Sequence, residues 1–282
     1  MFKIFITAFL LCSLSAKAYV GSVTAAAGGA GIATVEASEN PFGNPAGLAF
    51  LTGYYFTAGF GAATQSSVGS NQDMAFSLTD NMKETIIPTS FSYAQNTIQP
   101  ELGADVLRRD FRLSFGNFIR PGLAFGLAII HDNDVLDRTN YQQTNAQIGF
   151  LLAPTSSLGF AAVFDNLVSP NKDIPDFYRF KQTSAFGASW NFRRLFRFRG
   201  DVISSSGNSF SKPTVAVGME SYLNRWFVLR LGAQRNSEEE ANLYTGGVGF
   251  IGPKFGFHYA YQNSPQKMAL TRHSVDLAVP IW

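Results

Sequence analysis

The sequence predicts an all-β fold: a transmembrane antiparallel β-barrel of about 14 strands, with about 12 as the alternative, and a small N-terminal plug. Three observations predict it. Charged residues are scarce, apolar residues alternate with small or polar ones along many segments, and short and longer polar connections follow one another between these segments. We assign residues 1–18 to a signal peptide, 19–50 to the plug and 51–282 to the barrel.

The first residues have the three parts of a secretory signal peptide. Lys3 gives a positive start, Ile4 to Leu14 form an apolar core, and Ala16-Lys17-Ala18 has the small-x-small pattern at which signal peptidase cuts. We expect cleavage near Ala18. Lipidation at Cys12 is the alternative, although Leu11 stands where that processing requires a small residue. Cys12 is the single cysteine, so the mature chain has no thiol for a disulfide or a metal site.

The composition differs from that of ordinary soluble domains. Charged residues make up 15% of the chain, against a usual value of about 25%, while aromatic residues reach 14% and include 27 phenylalanines. Without Lys3 and Lys17, 20 basic side chains balance 20 acidic ones, which gives a nucleic-acid partner no electrostatic support. No later stretch offers the roughly 20 apolar residues of a spanning helix. A closed barrel is the other structure that satisfies its backbone hydrogen bonds in lipid.

Residues 19–50 lack the alternation of a strand. They are rich in glycine and alanine, as in the run from Ala25 to Gly31, and have too few bulky apolar side chains to fold alone. We expect them to pack inside the barrel against small wall residues such as Gly126 and Gly159. Pro45 fixes its own φ and restricts the preceding residue, so Asn44-Pro45-Ala46 would form a defined turn into the first strand.

From residue 51 onward, period-two alternation predicts the strands. Phe111, Leu113 and Phe115 share one face, for example, and the intervening Arg112, Ser114 and Gly116 share the other. A soluble secreted β-sandwich would show the same alternation, so periodicity alone leaves that alternative open. The predicted strands are 51–62, 73–80, 86–96, 105–117, 121–131, 141–152, 157–166, 177–192, 195–204, 213–223, 226–235, 241–251, 254–263 and 271–282.

Connection lengths favour the membrane barrel, which has short turns at one rim and longer loops at the other. Turn residues mark short connections at Arg120-Pro121-Gly122, Ala153-Pro154-Thr155, Arg193-Arg194, Asn224-Arg225 and Gly252-Pro253. Longer polar connections are predicted for 132–140, 167–176, 205–212, 236–240 and 264–270. All three tryptophans, Trp190, Trp226 and Trp282, lie near the short-turn rim, as an interfacial aromatic girdle requires.

The stretch that contains Asn44, Pro45, Ala46 and Gly47 resembles the N-terminal plug of the FadL/TodX family of outer-membrane hydrophobic-compound transporters and of the related PorV-type proteins. These proteins carry an Asn-Pro-Ala motif before the first strand. The glycine and alanine run, together with Leu158–Ala161 and Asp165–Leu167, is similar to the PorV branch. The resemblance implies a barrel of about 14 strands whose N-terminal hatch closes the lumen.

The predicted inner face of the barrel is polar. Its candidate lumen-facing residues are Arg112, Arg197, Arg199, Glu220, Arg230, His258 and Asp276, accompanied by Gln143, Asn145 and Gln147. They form either a substrate path or a buried hydrogen-bonded network that stiffens a filled barrel. The predicted loops are short and polar, unlike the long apolar capture loops of the FadL branch, which argues against fatty-acid capture.

Two functions follow from the resemblance. The barrel either passes or binds a small hydrophobic or amphipathic compound across the outer membrane, or it is a non-transporting scaffold for surface protein export or assembly. No catalytic residues are predicted, because the chain has no Gly-x-Ser-x-Gly elbow and its three histidines, His131, His258 and His273, lie on different predicted strands without metal-ligand spacing.

The same reasoning gives the expected location and partners. We expect the mature chain in the outer membrane of a Gram-negative bacterium, in contact with outer-membrane lipids and lipopolysaccharide after insertion by the barrel assembly machinery. Its further partner would be a hydrophobic ligand or exported proteins. We expect no cofactor, no metal and no nucleic acid.

Overall fold

In the computed structural model the described residues are 19–66, 69–101, 103–136, 139–169, 174, 179–193, 195–205, 207, 209–265 and 270–281. The expected signal peptide and Trp282 lie outside them. Within these ranges, no helix is both long and apolar enough to cross a membrane.

Fourteen antiparallel strands in the described part of the chain form one closed barrel. They are β1 Gly53–Gln65, β2 Gly69–Asn81, β3 Thr89–Pro100, β4 Val106–Arg120, β5 Leu123–Leu136, β6 Thr139–Thr155, β7 Leu158–Asp165, β8 Thr183–Phe192, β9 Phe196–Ser205, β10 Ser209–Tyr222, β11 Phe227–Asn236, β12 Ala241–Ile251, β13 Gly256–Ser264 and β14 Leu270–Ile281. Each strand pairs with its sequence neighbours, and β1 pairs with β14 from Tyr54 opposite Ile281 to Gln65 opposite Leu270. The predicted count of 14 is confirmed, and closure of the ring excludes the two-sheet sandwich.

The two faces of the wall follow the alternation in the sequence. On β4, Arg112 and Ser114 point inward and are buried, whereas Phe111 and Leu113 point outward and are 40% and 39% exposed. Large apolar side chains continue around the outer face, as at Ile129 on β5. A closed barrel has no second layer to cover this face, so its apolar exterior suits the hydrocarbon of a membrane.

Aromatic side chains gather at the rim where β1 begins and β14 ends, which we call the short-turn rim. Trp190 stacks on Phe198 with ring centroids 5.7 Å apart, and Trp226 stacks on Phe250 at 6.2 Å. Arg225 lies over the Trp226 ring at 4.7 Å. The positions of Trp190 and Trp226 match the predicted girdle.

Strands extend further than predicted at the opposite rim. β5 reaches Leu136 and β6 starts at Thr139, although the polar composition of 132–140 predicts a longer connection, and β10 likewise starts at Ser209. The prediction that short and longer connections follow one another is therefore wrong for β5–β6 and β9–β10, whose connections are as short as those of the other rim. Polar residues continue the ladder here because inward side chains find cross-strand partners, as Arg108 does in Asp134.

The β6–β7 turn also differs from its predicted position. The sequence places it at Ala153-Pro154-Thr155, but β6 continues to Thr155 and the turn is Ser156-Ser157. The pairing shifts register between Leu152 and Thr155. Such an irregularity accommodates Pro154, which has no N–H to donate to the ladder.

Residues 19–52, the N-terminal segment, lie inside the ring of strands. The segment contains a one-turn helix, α1 Ser22–Ala26, and a 3₁₀ helix, Pro45–Phe50. It hydrogen-bonds to side chains on β2, β4, β6, β8, β9, β12, β13 and β14. A single short segment can reach strands all around a closed barrel only from its interior.

Candidate functional site: the barrel interior

The inner wall meets the N-terminal segment largely through glycines. An added Cβ would come within 3.0 Å of an atom of this segment at Gly59, Gly116, Gly126, Gly149, Gly159, Gly187, Gly218, Gly232 and Gly247. At Gly126 the obstructing atoms belong to the backbone of Pro45 and Ala46, and at Gly159 the carbonyl oxygen of Ala33 obstructs. The missing side chains allow the backbone of the segment to approach the strands closely.

Asn44 fixes the point at which the segment turns towards β1. It is 1% exposed, and its Oδ1 accepts a hydrogen bond from the Ala46 N–H at 3.1 Å, which caps the 3₁₀ helix. Its Nδ2 donates to the carbonyl oxygens of Ile32 at 2.8 Å and Phe150 at 3.3 Å. Pro45 occupies the first helical position, where its missing N–H leaves no hydrogen bond unmade.

Ala46 and Gly47 pack tightly against the rest of the segment and the wall. Ala46 has no exposed surface. The Gly47 N–H donates to the Asn44 carbonyl at 3.0 Å, and a side chain at position 47 would overlap the Asn40 amide. Asn40 in turn donates from Nδ2 to the Thr34 carbonyl at 3.0 Å. The four residues Asn44 to Gly47 thus form one packed unit with the chain that precedes them.

Two aspartates of the wall accept hydrogen bonds from backbone N–H groups of the segment. Asp276 on β14 accepts from the Ser22 N–H at 2.6 Å and also from the Tyr19 hydroxyl. Asp201 on β9 accepts from the Gly31 N–H at 2.7 Å. Both carboxylates are buried, and hydrogen bonds to a charged acceptor are stronger than those between neutral groups.

Two wall residues donate to backbone carbonyls of the same segment. Arg112 on β4 donates from Nη1 to the Phe42 carbonyl at 2.7 Å, and Gln147 on β6 donates from Nε2 to the Gly43 carbonyl at 2.9 Å. Donors and acceptors of the wall therefore satisfy both kinds of backbone group in a segment that has little regular structure of its own.

Glu220 lies at the centre of a buried charge cluster. It has no exposed surface and accepts from Arg199 Nε at 2.7 Å and from Arg230 Nε at 3.0 Å. Arg197 Nη1 lies 3.4 Å from the same carboxylate. Arg230 also donates to His258 Nδ1 at 3.1 Å, so this ring nitrogen carries no proton.

Glu36 connects this cluster to the N-terminal segment. Its Oε1 lies 3.0 Å from Arg197 Nη1 and 3.2 Å from Arg199 Nη2. The structure thus brings together five of the seven sequence-predicted lumen residues: Arg197, Arg199, Glu220, Arg230 and His258. Asp276 lies opposite His258 on β14 and holds the start of the segment, and Arg112 lies apart on β4.

Glu39 is a buried acid within the segment. It accepts from the Thr24 N–H at 2.5 Å and also from the Thr24 hydroxyl. Burial, and then the negative charge of Asp276, raise the pKa of Glu39 to about 7, against the opposing effects of Arg199 and Thr24. Burial, followed by the charge of Asp276, also raises the pKa of Tyr19 well above its usual value.

The opposite end of the interior has a second polar group. Arg108 donates to both oxygens of Asp134 at 2.9 and 3.1 Å, and its guanidinium lies 4.8 Å from the centre of the Phe180 ring. Phe180 and the buried Ile174 belong to the connection between β7 and β8. Part of this connection therefore packs into the mouth of the barrel.

Sequence reasoning did not single out Asp73, Asp134, Asp201 or Arg108. A signal exists for three of them. Asp201 follows Arg199 by two residues and Arg108 precedes Arg112 by four, which places each in the inward phase. Asp73, which pairs with Arg272 at 2.9 Å, also has a signal, because Met74, Phe76 and Leu78 follow it in the outward phase. Asp134 lies outside the predicted strands, so no alternation was read there. In the described part of the chain, no group of three or more His, Cys, Asp or Glu side chains has metal-binding geometry.

Comparison with solved structures identifies the fold. The toluene transporter TbuX of Ralstonia pickettii superimposes with a TM-score of 0.73 at 13% identity, covering 93% of this chain and 98% of that one. The CymD monoaromatic hydrocarbon channel gives 0.74 at 12% identity, covering 93% and 97%. A Pseudomonas aeruginosa FadL homologue gives 0.70 at 10% identity, covering 93% and 98%.

No protein-family model and no curated protein sequence matches this chain. The solved structures nevertheless span nearly the whole of it. The barrel implied by the resemblance to the FadL/TodX family is thereby confirmed as a fold, whereas nothing confirms the PorV branch.

Proposed function

We propose that this chain, which has the fold of the FadL/TodX-type barrels, lies in the outer membrane and passes a small hydrophobic or amphipathic compound. In this proposal residues 19–50 are a displaceable plug and residues 51–282 are the barrel. The observation that carries the proposal is the N-terminal segment inside the ring of strands, held by side chains of eight strands.

The names of the similar structures support transport. They are a toluene transporter and a monoaromatic hydrocarbon channel. The interior of this barrel is more polar than a pure hydrocarbon requires, since buried arginines and carboxylates line it beside the segment. An amphipathic compound, which has both an apolar body and a polar group, fits this lining better.

The roles of the site residues follow from their contacts. Asn44, Pro45, Ala46 and Gly47 would fix the end of the plug that stays attached to β1. Arg112 and Asp276 would hold its backbone, while Arg197 and Arg199 would hold it through Glu36. Glu220, Arg230 and His258 would keep these arginines in place. Displacement of the plug would break these contacts and expose the polar lining to a passing compound.

The test is uptake of the hydrophobic dye phenylnaphthylamine by Gram-negative cells that produce the protein. Deletion of residues 22–43 removes most of the plug and leaves the Asn44 turn and all strands. We expect faster dye uptake, and raised conductance in planar bilayers, for the deletion variant than for the full mature chain at equal amounts in the membrane. An assembled deletion variant with unchanged conductance would contradict the plug.

The proposed location is tested separately. The mature protein should fractionate with the outer membrane and migrate differently in detergent gels before and after heating, because a closed barrel resists detergent until it is heated. In the cell it would contact outer-membrane lipids and lipopolysaccharide and be inserted by the barrel assembly machinery. Recovery as a soluble periplasmic protein would contradict the proposal.

A scaffold for surface protein export is the second candidate function. The observation that favours it is that part of the β7–β8 connection packs into the mouth opposite the short-turn rim, where Ile174 and Phe180 are buried and Phe180 lies against Arg108. A barrel closed at both ends would offer its surface to partners and pass nothing. If cells with the full chain and cells with the deletion variant both take up the dye no faster than cells without the protein, the result favours this function over transport.

A further inference from the structure

The short-turn rim contains a cavity of about 520 Å³ that opens towards the solvent beside the proposed plug. Turn residues and residues at the ends of β8, β9 and β10 line it: Ser156, Ser157, Asn191, Arg193, Phe196, Arg197 and Tyr222. A volume of this size holds a small organic molecule. We call it the rim cavity.

Of the described residues that line the rim cavity, two are arginines and none is acidic. Arg197 lies on its inner side and contacts the carboxylates of Glu36 and Glu220. Arg193 adds a further positive charge at the exposed edge of the cavity. A negatively charged group that enters would therefore meet two arginines and no carboxylate in the lining itself.

Arg197 is the residue that links the rim cavity to the N-terminal segment. Its side chain and that of Glu36 are each 21% exposed, so solvent reaches their ion pair. Its Nε donates to Asn191 Oδ1 at 2.7 Å, which orients the guanidinium, and its face lies 5.7 Å from the centre of the Tyr222 ring. A carboxylate in the cavity would compete with Glu36 for Arg197.

We propose that the rim cavity binds a small aromatic carboxylate, with the carboxylate on Arg193 and Arg197 and the ring against Tyr222. Serine hydroxyls at positions 156 and 157 are available for further hydrogen bonds. Occupancy would weaken the hold of Arg197 on Glu36 and loosen the N-terminal segment. Binding itself stands apart from the proposed function, whereas the effect on permeability rests on the proposed plug.

The binding test is calorimetric titration of the full mature protein in non-ionic detergent with benzoate, benzyl alcohol and inorganic phosphate. We expect benzoate to bind about tenfold more tightly than benzyl alcohol, which has the ring but no charge, and more tightly than phosphate, which has charge but no ring. Equal binding of benzyl alcohol would overturn the role of the arginines. Equal binding of phosphate would overturn the role of the Tyr222 ring.

Variants locate the site. Arg193→Asn should weaken benzoate binding about tenfold, and asparagine tolerates the positive φ of 50° at this position. Arg225→Asn removes an arginine from the next short turn of the same rim, outside the cavity, and should leave binding unchanged. Glu36→Gln should strengthen binding because it removes the competing carboxylate. Wild-type affinity in Arg193→Asn, with the barrel intact by gel migration, would overturn the proposal.

Conductance separates this proposal from the proposed function. Benzoate added on the short-turn side of a planar bilayer should raise the conductance of the full chain and have no such effect on the 22–43 deletion variant. If benzoate binds as described but does not raise the conductance of the full chain, the rim cavity stands and its link to the plug fails. If benzoate binds but the deletion itself leaves the conductance unchanged, the rim cavity stands and the plug fails. If the deletion raises conductance but benzoate does not bind, the plug stands and the rim cavity fails.

Discussion

The Asn44 side chain and the Phe150 backbone are joined by a hydrogen bond, with Nδ2 donating to the carbonyl oxygen at 3.3 Å. This bond ties the N-terminal segment to β6 at residues that lie 106 positions apart in sequence. The facing strand position is Gly149, where a side chain would overlap Asn44. One buried amide therefore connects the cap of the 3₁₀ helix, the Ile32 carbonyl and the wall.

Asn44→Ala should loosen the N-terminal segment without unfolding the barrel. It removes the cap on Ala46 and leaves the Ile32 carbonyl without its donor, which should weaken docking of the segment by about 1 to 3 kcal/mol. The measurement is conductance in planar bilayers, where we expect a rise smaller than that of the 22–43 deletion. Asn44→Asp keeps the acceptor for the Ala46 N–H but loses the donor to Ile32 and Phe150. If the conductance of Asn44→Asp equals that of wild type, the cap on Ala46 alone matters.

Gly126→Ala should displace the segment from the wall. The new Cβ would overlap the backbone of Pro45 and Ala46, which cannot rotate away as a side chain could. Overpacking of this kind costs about 1 to 3 kcal/mol. We expect faster protease cleavage within residues 19–50 in the assembled protein.

The matched control is Gly246→Ala on β12. Its Cβ would lie 3.5 Å from Leu231 Cδ2, an ordinary contact that does not involve the N-terminal segment. Both variants replace a strand glycine with alanine, so equal cleavage rates would contradict the role assigned to Gly126.

The sequence predicts which face of the wall each residue occupies because period two is a local property of the strand. Arg112, Arg199 and Arg230 are all buried on the inner face, as their alternation with apolar neighbours indicates. Strand number follows for the same reason. The ends of the strands do not follow, because whether a polar residue continues the ladder depends on the residue opposite it, as Arg108 depends on Asp134.

Contacts across the interior could not be predicted. Glu36 meets Arg197 over a separation of 161 residues, and Tyr19 meets Asp276 over 257. The alternation places an arginine on the inner face but gives neither its depth nor the part of the segment beside it. The glycines of the wall were predicted only at Gly126 and Gly159, because a glycine that accommodates another backbone looks in sequence like any small inward residue.

Leu127→Arg tests the assignment of the outer face. Leu127 lies on β5 between the inward-facing Gly126 and Ala128, so its side chain points outward. An arginine there should cost about 2 to 4 kcal/mol near mid-membrane. Ala128→Ser, on the buried inner face, should cost much less. Urea unfolding in lipid vesicles measures both, and equal losses of stability would show that the faces are reversed.

Glu220→Gln should destabilise the barrel strongly. The change leaves Arg199 and Arg230 without the carboxylate that both contact, and removing one partner of a buried ion pair costs about 3 to 5 kcal/mol. Glu238→Gln is the control, since Glu238 is exposed in the β11–β12 turn. It should change stability by less than about 0.5 kcal/mol. Urea unfolding followed by tryptophan fluorescence compares the two, and a loss no larger than that of the control would contradict the cluster.

The last prediction concerns pH. Burial raises the pKa of Glu39 from 4.5 to about 7 while the segment is docked, with Asp276 and Glu36 adding to the rise and Arg199 and Thr24 opposing it. Below the lower pKa, Glu39 is protonated in both the docked and the released segment, and above the higher pKa it is ionised in both. Between them the docked state binds the proton more strongly, so docking weakens as pH rises, by at most about 1.4 kcal/mol per pH unit.

Protease cleavage of residues 19–50 in the assembled barrel should therefore accelerate as pH rises through this window in the wild-type protein. Glu39→Gln cannot lose a proton and still accepts a hydrogen bond from Thr24, so its cleavage rate should change little with pH after correction for the protease alone. Glu36→Gln is the matched control, since it removes another carboxylate of the same segment. It should raise cleavage at every pH, because the segment loses its ion pairs with Arg197 and Arg199, and it should keep the pH dependence. The same pH dependence in Glu39→Gln as in wild type would assign the transition to a different group.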